Sequence, residues 1–160
     1  MPLTPEQPMQ AVVAELLRRS TDGNLALLNG DLRGFADLVP HSDDYTLMSP
    51  FGGTPTHGFD RSDEHLAELA RFFRSGAGEL ELVQSYATAD MVVLVVIERQ
   101  RACVGDLAEQ DWSLRVTLVY RRVEQAHEWE LVHRHADSLV PGISLSQAAE
   151  LARATACRSA

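Results

Sequence analysis

The chain contains no lysine, and all 14 of its basic residues are arginine. We interpret this bias as a mark of a GC-rich bacterial genome rather than as a chemical requirement. Because 23 residues are Asp or Glu, the formal net charge is −9, and such a surface repels the phosphates of nucleic acid. Two Trp and three Tyr residues are also too few to form a platform that stacks bases. We therefore expect no nucleic-acid partner.

Cysteines and long apolar segments are scarce as well. The two cysteines, Cys103 and Cys157, lack the spacing of a metal site, so we take both as free thiols. No apolar run approaches the roughly 18 residues that a membrane span needs. The first residues have neither the basic flank nor the apolar centre of a signal peptide. We expect a cytoplasmic location and no membrane partner.

The length and composition are typical of one globular domain. With 160 residues, 45% of them hydrophobic, the chain can bury a core of its own. We predict a single domain over residues 1–160, with its core at about 10–140 and a C-terminal helix at about 144–156.

Apolar periodicity predicts helices first and then a series of strands. The predicted helices cover residues 4–28, with Thr4 as N-cap and Pro5 following it, then a short segment through 35–39, then 61–74 and 146–156. The predicted strands are 43–48, 79–88, 91–103, 112–123 and 128–140. This order is typical of an α+β fold with antiparallel strands. The run 91–97 is apolar on both faces, so we place it mid-sheet. The outer apolar face of this run must be shielded from water, either by the C-terminal helix or by a second copy of the chain. We consider the second copy, in a homodimer, the simpler solution.

The last strand alternates between two kinds of side chain from Trp129 to Asp137. One face carries Trp129, Leu131, His133, His135 and Asp137, and the other carries Glu130, Val132, Arg134 and Ala136. The His-x-His-x-Asp row resembles a metal-ligand set, but steps of about 6.8 Å along a flat strand are too long for one ion. We predict no metal and no cofactor. We expect the His-x-His-x-Asp row to lie on the outer face, hydrogen-bonded with Arg115 at a dimer interface. Trp129 and Leu131 on the same face favour such an interface.

Three segments resemble the nuclear-transport-factor-2-like (NTF2-like) superfamily, in particular its SnoaL-like and ketosteroid-isomerase-like bacterial members. They are Leu28-Asn29-Gly30-Asp31, Tyr45-Thr46-Leu47-Met48-Ser49-Pro50 and Trp129-Glu130-Leu131-Val132-His133-Arg134-His135. The likeness extends over roughly residues 15–140. It implies a cone-shaped, curved antiparallel (mixed) sheet, wrapped by N-terminal helices around one cavity, and commonly a dimer.

The same resemblance argues against isomerase activity. Ketosteroid isomerases use a general-base aspartate, a protonated aspartate and a tyrosine, and the matching positions here hold Ser49, Leu118 and Gly23. Proton shuttling needs a carboxylate and an acid beside the substrate, so we reject that reaction. Related epoxide hydrolases need two aspartates and an arginine in the cavity, and we predict no aspartate on an inner face.

The matching also predicts which side chains face the cavity. If Leu118 points inward, so do Trp112, Leu114, Val116 and Tyr120. The register of the last two strands follows if Tyr120 lies opposite Glu130. On the inner face, Leu118 then pairs with Val132 and Val116 with Arg134. On the outer face, Arg115 pairs with His135 and Thr117 with His133. Across the preceding hairpin Glu98 and Gln100 point inward, with Glu98 near Leu114. His41, His57, His65 and His127 are expected to be exposed.

Glu98 and Arg134 are the charged residues of this predicted inner face. They either orient the polar group of a ligand in an apolar pocket or form an ion pair that only satisfies itself. We predict a domain that binds a small apolar molecule with a polar group. The alternative is an isomerase, cyclase or hydratase that acts through Glu98 and Arg134. The predicted ligand-binding residues are Glu98, Arg134, Trp112, Leu118, Tyr120 and Ser49.

Overall fold

A computed structural model describes residues 6–124 and 128–156 of the chain, and within these ranges it contains four helices and seven strands. The helices are α1 (Glu6–Leu28), α2 (Leu32–Leu38), α3 (Asp63–Phe72) and α4 (Leu145–Ala156). The strands are β1 (His41–Met48), β2 (Thr56–His57), β3 (Phe73–Ala87), β4 (Met91–Val104), β5 (Gln110–Asp111), β6 (Leu114–Val123) and β7 (Glu128–Ser138). Thr4, Pro5, His127 and Cys157 lie outside the described residues.

The strands form one mixed sheet in the order β2-β1-β7-β6-β4-β3, with β5 paired to β4. All neighbours are antiparallel except β1 and β7, which run parallel. The sheet is not closed into a barrel, and its inner face packs against the N-terminal helices. The predicted α+β fold is therefore confirmed.

The inner face of the sheet supplies most of the core. Along β4 the buried residues alternate from Val92 to Ala102, and along β6 they alternate from Leu114 to Tyr120, as their period-2 patterns predict. Leu16 of α1 joins them in one hydrophobic cluster. The predicted inward faces of these two central strands are confirmed, and so is the pairing of Glu98 with Leu114.

The third strand begins earlier than predicted. Residues 75–78, which we expected to end α3, are already part of β3, since Gly76 pairs with Ala102 and Gly78 with Gln100. A Cβ at Gly76 would lie 2.8 Å from the Cβ of Leu28. Gly76 therefore lets the end of α1 lie against the strand, and neither glycine marks a turn.

The last strand contains a bulge that the alternation does not reveal. Tyr120 pairs with Leu131 but Val119 pairs with His133, so Val132 is an extra residue. Side chains on opposite sides of the bulge change face. Trp129 and Leu131, expected on the outer face, are therefore in the core with 8% and 2% exposure.

The bulge also corrects the predicted β6–β7 register. Leu118 pairs with Arg134 rather than Val132, and Val116 with Ala136 rather than Arg134. On the outer face the same shift pairs Arg115 with Asp137 and Thr117 with His135, and Tyr120 lies opposite Leu131 rather than Glu130.

The C-terminal helix does not cover the sheet. Every described side chain of α4 is exposed, including Leu145 and Leu151. Of the two covers that we considered for the outer sheet face, α4 is therefore not the one that the structure shows. None of the described helices combines the length and the apolar character needed to cross a membrane.

Candidate functional site

A small cavity lies between α1, α2 and the inner face of the sheet. Its volume is about 40 Å³. Five polar side chains and five apolar ones line it: Ser20, Asn24, Glu98, Tyr120, Arg134, Leu27, Phe35, Val39, Leu118 and Leu131. The site therefore combines an apolar wall with a dense set of hydrogen-bonding groups.

Glu98 and Arg134 form a two-pronged ion pair beside this cavity. Arg134 Nη1 donates to Glu98 Oε1 over 2.6 Å, and Nη2 donates to Oε2 over 2.9 Å. Glu98 is only 1% exposed, whereas the Arg134 side chain is 21% exposed. Burial opposes the charge on Arg134, but the charge and hydrogen bonds of Glu98 hold the pKa of Arg134 above its ordinary value.

Tyr120 and Ser20 form a second polar pair in the cavity wall. Their hydroxyl oxygens are 2.7 Å apart, and Ser20 Oγ also lies 2.7 Å from the carbonyl oxygen of Leu16. Burial raises the pKa of Tyr120. The phenol therefore stays protonated, and it joins strand β6 to helix α1.

A chain of amides leads from the cavity to the start of β6. Asn24 Nδ2 donates to Gln100 Oε1 over 2.8 Å, and Gln100 Nε2 donates to the carbonyl oxygen of Trp112 over 3.1 Å. Both side chains are buried, Asn24 with 7% exposure. The Oδ1 of Asn24 accepts no hydrogen bond from the described residues and remains available to the cavity.

An aromatic cluster surrounds His41 close to Arg134. The imidazole stacks on Phe59 at 4.1 Å between ring centroids and meets the edges of Tyr45 and Phe35. Its Nδ1 is buried and has no hydrogen-bond partner among the described residues. Burial lowers the pKa of His41 to about 4. The expectation that His41 is exposed is therefore wrong, because β1 begins at this residue and turns it inward.

The structure brings four of the predicted site residues together and leaves two apart. Glu98, Arg134, Leu118 and Tyr120 line the same cavity. Trp112 lies elsewhere, stacked between Phe51 and Phe73. Ser49 is in the loop after β1, where its Oγ accepts from the backbone N–H of Phe51.

Gly23, at the position of the isomerase tyrosine, contacts α2 closely. A Cβ at Gly23 would lie 2.6 Å from Cγ2 of Val39, a distance that real Cβ contacts do not show. A tyrosine therefore fits at this position only if the Val39 side chain or α2 shifts.

Ser20 and Asn24 are the cavity residues that sequence reasoning missed. They follow Leu16 at intervals of four residues, so they continue the buried stripe of α1. Polar residues inside an apolar stripe were the available signal, since buried polar groups need partners.

The outer face of the sheet has a different character. A half-buried apolar stripe crosses its centre, formed by Val93, Val95, Ile97, Thr117 and Val119. Exposed ion pairs border it: Arg99–Glu81, Arg115–Asp137 and Arg121–Asp44.

The histidine row lies beside this stripe. His133 is hydrogen-bonded through Nδ1 to Thr46 Oγ1 at 2.7 Å, and Asp137 holds Arg115. The predicted contact of this row with Arg115 is therefore made by Asp137.

Comparisons with known proteins bear on the fold. No family model matches the chain, and no curated protein matches it either. A solved NTF2-like protein of unknown function from Pseudomonas putida KT2440 is similar, with 21% identity, a TM-score of 0.62, and coverage of 86% of this chain and 89% of the other.

Two further solved structures extend the comparison. An NTF2-like protein of unknown function in nutrient uptake from Rhodospirillum rubrum ATCC 11170 shows 24% identity, a TM-score of 0.57, and coverage of 80% of this chain and 98% of the other. A provisionally assigned dehydratase of the NTF2-like family from Streptomyces avermitilis shows 18% identity, a TM-score of 0.62, and coverage of 82% of this chain and 99% of the other. The architecture and these similarities agree with the resemblance seen in the sequence, and the chain has the fold of the NTF2-like superfamily.

Proposed function

We propose that this protein is a SnoaL-like domain that binds a small molecule in the cavity between α1, α2 and the sheet. The polar group of the ligand contacts Arg134, and its apolar part lies against Leu118, Leu131 and Phe35. The ligand-binding role of Trp112 and Ser49 has no support from the cavity geometry, so we leave them out of the proposed site.

The observation that carries this proposal is a buried ion pair that lines the cavity beside five apolar side chains. Glu98 uses two of the five N–H donors of Arg134, and it is the one hydrogen-bond partner of that side chain among the described residues. The other donors remain for a ligand. A few placed polar groups within apolar surroundings are the usual composition of small-molecule sites.

The size of the cavity limits the ligand. Sites for drug-sized molecules measure roughly 300–1,000 Å³, whereas this cavity measures about 40 Å³. A compact molecule fits directly. A larger molecule enters only if side chains of α1 and α2 move outward.

Extraction of the purified protein followed by mass spectrometry tests the proposal, with Leu118→Phe as a variant that fills the cavity. We expect wild type to release a small molecule that the variant lacks. Equal release from both proteins places the molecule outside the cavity. If wild type releases nothing and no compound of a fragment library shifts cavity resonances in NMR, the proposal is wrong.

A second candidate is an enzyme, an isomerase, cyclase or hydratase, that acts through Glu98 and Arg134. The similarity to a provisionally assigned dehydratase motivates it. The geometry favours it less, because both oxygens of Glu98 already accept hydrogen bonds from Arg134. A general base would therefore have to take the substrate proton on the one lone pair that each oxygen has left. The ligand identified by extraction decides between the two, since an enzyme converts it and a binding domain returns it unchanged.

We also propose a homodimer that forms through the outer face of the sheet in the cytoplasm. The apolar stripe around Val95 and Ile97 supports it, because a contiguous apolar patch with a polar border is typical of an interface. Trp129 and Leu131, which first suggested this face, are not part of it. His133 and His135 remain on it.

A further inference from the structure

We propose that the cavity selects an uncharged head group that donates hydrogen bonds, with a primary carboxamide as its best complement, over one that only accepts them. This inference rests on the proposed binding function and specifies its ligand class. It follows from where each proton of the cavity wall must lie.

The hydroxyl group of Tyr120 donates its proton to the hydrogen bond with Ser20 Oγ. A carbonyl oxygen has no proton, so the 2.7 Å contact between Ser20 Oγ and the carbonyl of Leu16 requires the single hydroxyl proton of Ser20. The equally short contact between Ser20 and Tyr120 must then use the proton of Tyr120. The phenol oxygen consequently offers the cavity lone pairs and no donor. It cannot stabilise an oxyanion or donate to a ketone.

The orientation of Asn24 is determined in the same way. The backbone carbonyl of Trp112 only accepts, so the group of Gln100 that lies 3.1 Å from it is the NH₂. The oxygen of Gln100 therefore faces Asn24, and Asn24 must present its NH₂ to it over 2.8 Å. Asn24 lines the cavity, and because its NH₂ is used by Gln100, the polar atom that it has left for a ligand is Oδ1, a second acceptor.

The charges of the cavity cancel. Glu98 and Arg134 are the two charged residues that line it, and they neutralise each other. An ionic ligand would bring an uncompensated charge into a buried space, which is costly. The spare N–H groups of Arg134 are the cavity's donors. A carboxamide satisfies all three features, since the two protons of its NH₂ can be donated to Asn24 and to Tyr120 while its oxygen accepts from Arg134.

Acetamide, acetone and acetate test this directly, because they have the same shape and number of heavy atoms. Titrations followed by NMR of the Asn24, Gln100 and Arg134 side chains would report binding. We expect acetamide to bind at least about five-fold more tightly than acetone, the equivalent of one neutral hydrogen bond, and acetate to bind most weakly.

Ser20→Ala is the decisive variant. It removes the acceptor of the Tyr120 proton, so the phenol becomes a donor, and the preference for acetamide over acetone should shrink or reverse. Thr21→Ala is the matched control, because Thr21 makes the same bond to the carbonyl four residues earlier but does not line the cavity. It should leave the preference unchanged. If Ser20→Ala does not fold, Tyr120→Phe replaces it. This variant should weaken the binding of acetamide and leave the binding of acetone and acetate unchanged.

Each outcome is decisive. An acetone or acetate affinity equal to that of acetamide overturns the inference while the binding function stands. An unchanged preference in the folded Ser20→Ala or Tyr120→Phe variant also overturns it. If none of the three compounds shifts the cavity signals, the inference is wrong, and the extraction experiment separately decides the binding function.

Discussion

Arg134 reaches Glu98 diagonally across the inner face of the sheet. Arg134 pairs with Leu118, which pairs with Leu94, and Glu98 lies four residues further along β4. Two short hydrogen bonds nevertheless join the side chains. The length of the arginine side chain makes this contact possible, and the result is a charge pair that closes one side of the cavity.

Glu98→Gln tests how much this pair contributes to stability. The substitution keeps the shape but leaves the guanidinium of Arg134 without its counter-ion, and we expect unfolding in urea to become easier by roughly 3 kcal/mol. Asp137→Asn breaks a pair of the same two-pronged geometry on the exposed face and should change stability little. A double replacement of Glu98 and Arg134 by Leu should recover much of the loss.

The same variant separates a structural pair from a functional one. In a purely structural site, Glu98→Gln loses stability and the affinity for ligand hardly changes. In a functional site, the loss of stability is accompanied by a fall in affinity or turnover. Both measurements belong in one experiment, because a loss of stability under about 1 kcal/mol together with unchanged binding contradicts both roles.

His41 should make the protein sensitive to acid. Its folded-state pKa of about 4 lies below the ordinary value of about 6.5, so the unfolded chain takes up the proton first as the pH falls. Stability should therefore be fully present above about pH 6.5 and decrease down to about pH 4, by roughly 3 kcal/mol. The charges of Arg61 and Arg134 act in the same direction, and the backbone of Val39 opposes them.

Urea unfolding at several pH values, in wild type and His41→Phe, measures this effect. Phenylalanine keeps the aromatic stack but carries no proton, so the variant should lose much of the slope between pH 6.5 and 4. His57→Phe, at an exposed position, is the control and should retain the slope. A His41→Phe variant as acid-sensitive as wild type contradicts the prediction.

Light scattering tests the homodimer. Wild type at micromolar concentration should show twice the 17.7 kDa mass of the chain, and Val95→Glu should give a folded monomer because it places a charge in the apolar stripe. Leu151→Glu, on exposed α4, should leave the dimer intact. A wild-type protein that is monomeric at this concentration would contradict the proposed homodimer.

Gly78 provides a test of the β3 assignment. A Cβ there would lie 2.5 Å from the carbonyl oxygen of Arg99 on the neighbouring strand, so Gly78→Ala should destabilise the fold by about 1–3 kcal/mol. Gly142 has nothing within 4 Å of an added Cβ, and Gly142→Ala is the matched control. Equal thermal stability of the two variants argues against this packing.

The sequence by itself determined the elements whose pattern is local. The resemblance at Leu118 set which face points inward, and the period-2 alternation along the two central strands then placed Glu98 inside the fold and near Leu114, because burial of one face leaves a strand little freedom of register. The helical stripe of α1 and the caps that start α2 and α3 are local in the same sense. The α+β class followed from the order of these elements.

Only the tertiary structure decided the features that depend on distant partners. The extra residue Val132 moved Trp129 and Leu131 into the core, and a bulge leaves no mark on the alternation of the strand that contains it. The proton directions of Ser20, Asn24 and Tyr120 depend on contacts between α1 and strands about a hundred residues away. Such contacts arise only when the sheet curves around the helix, so no local pattern in the sequence encodes them.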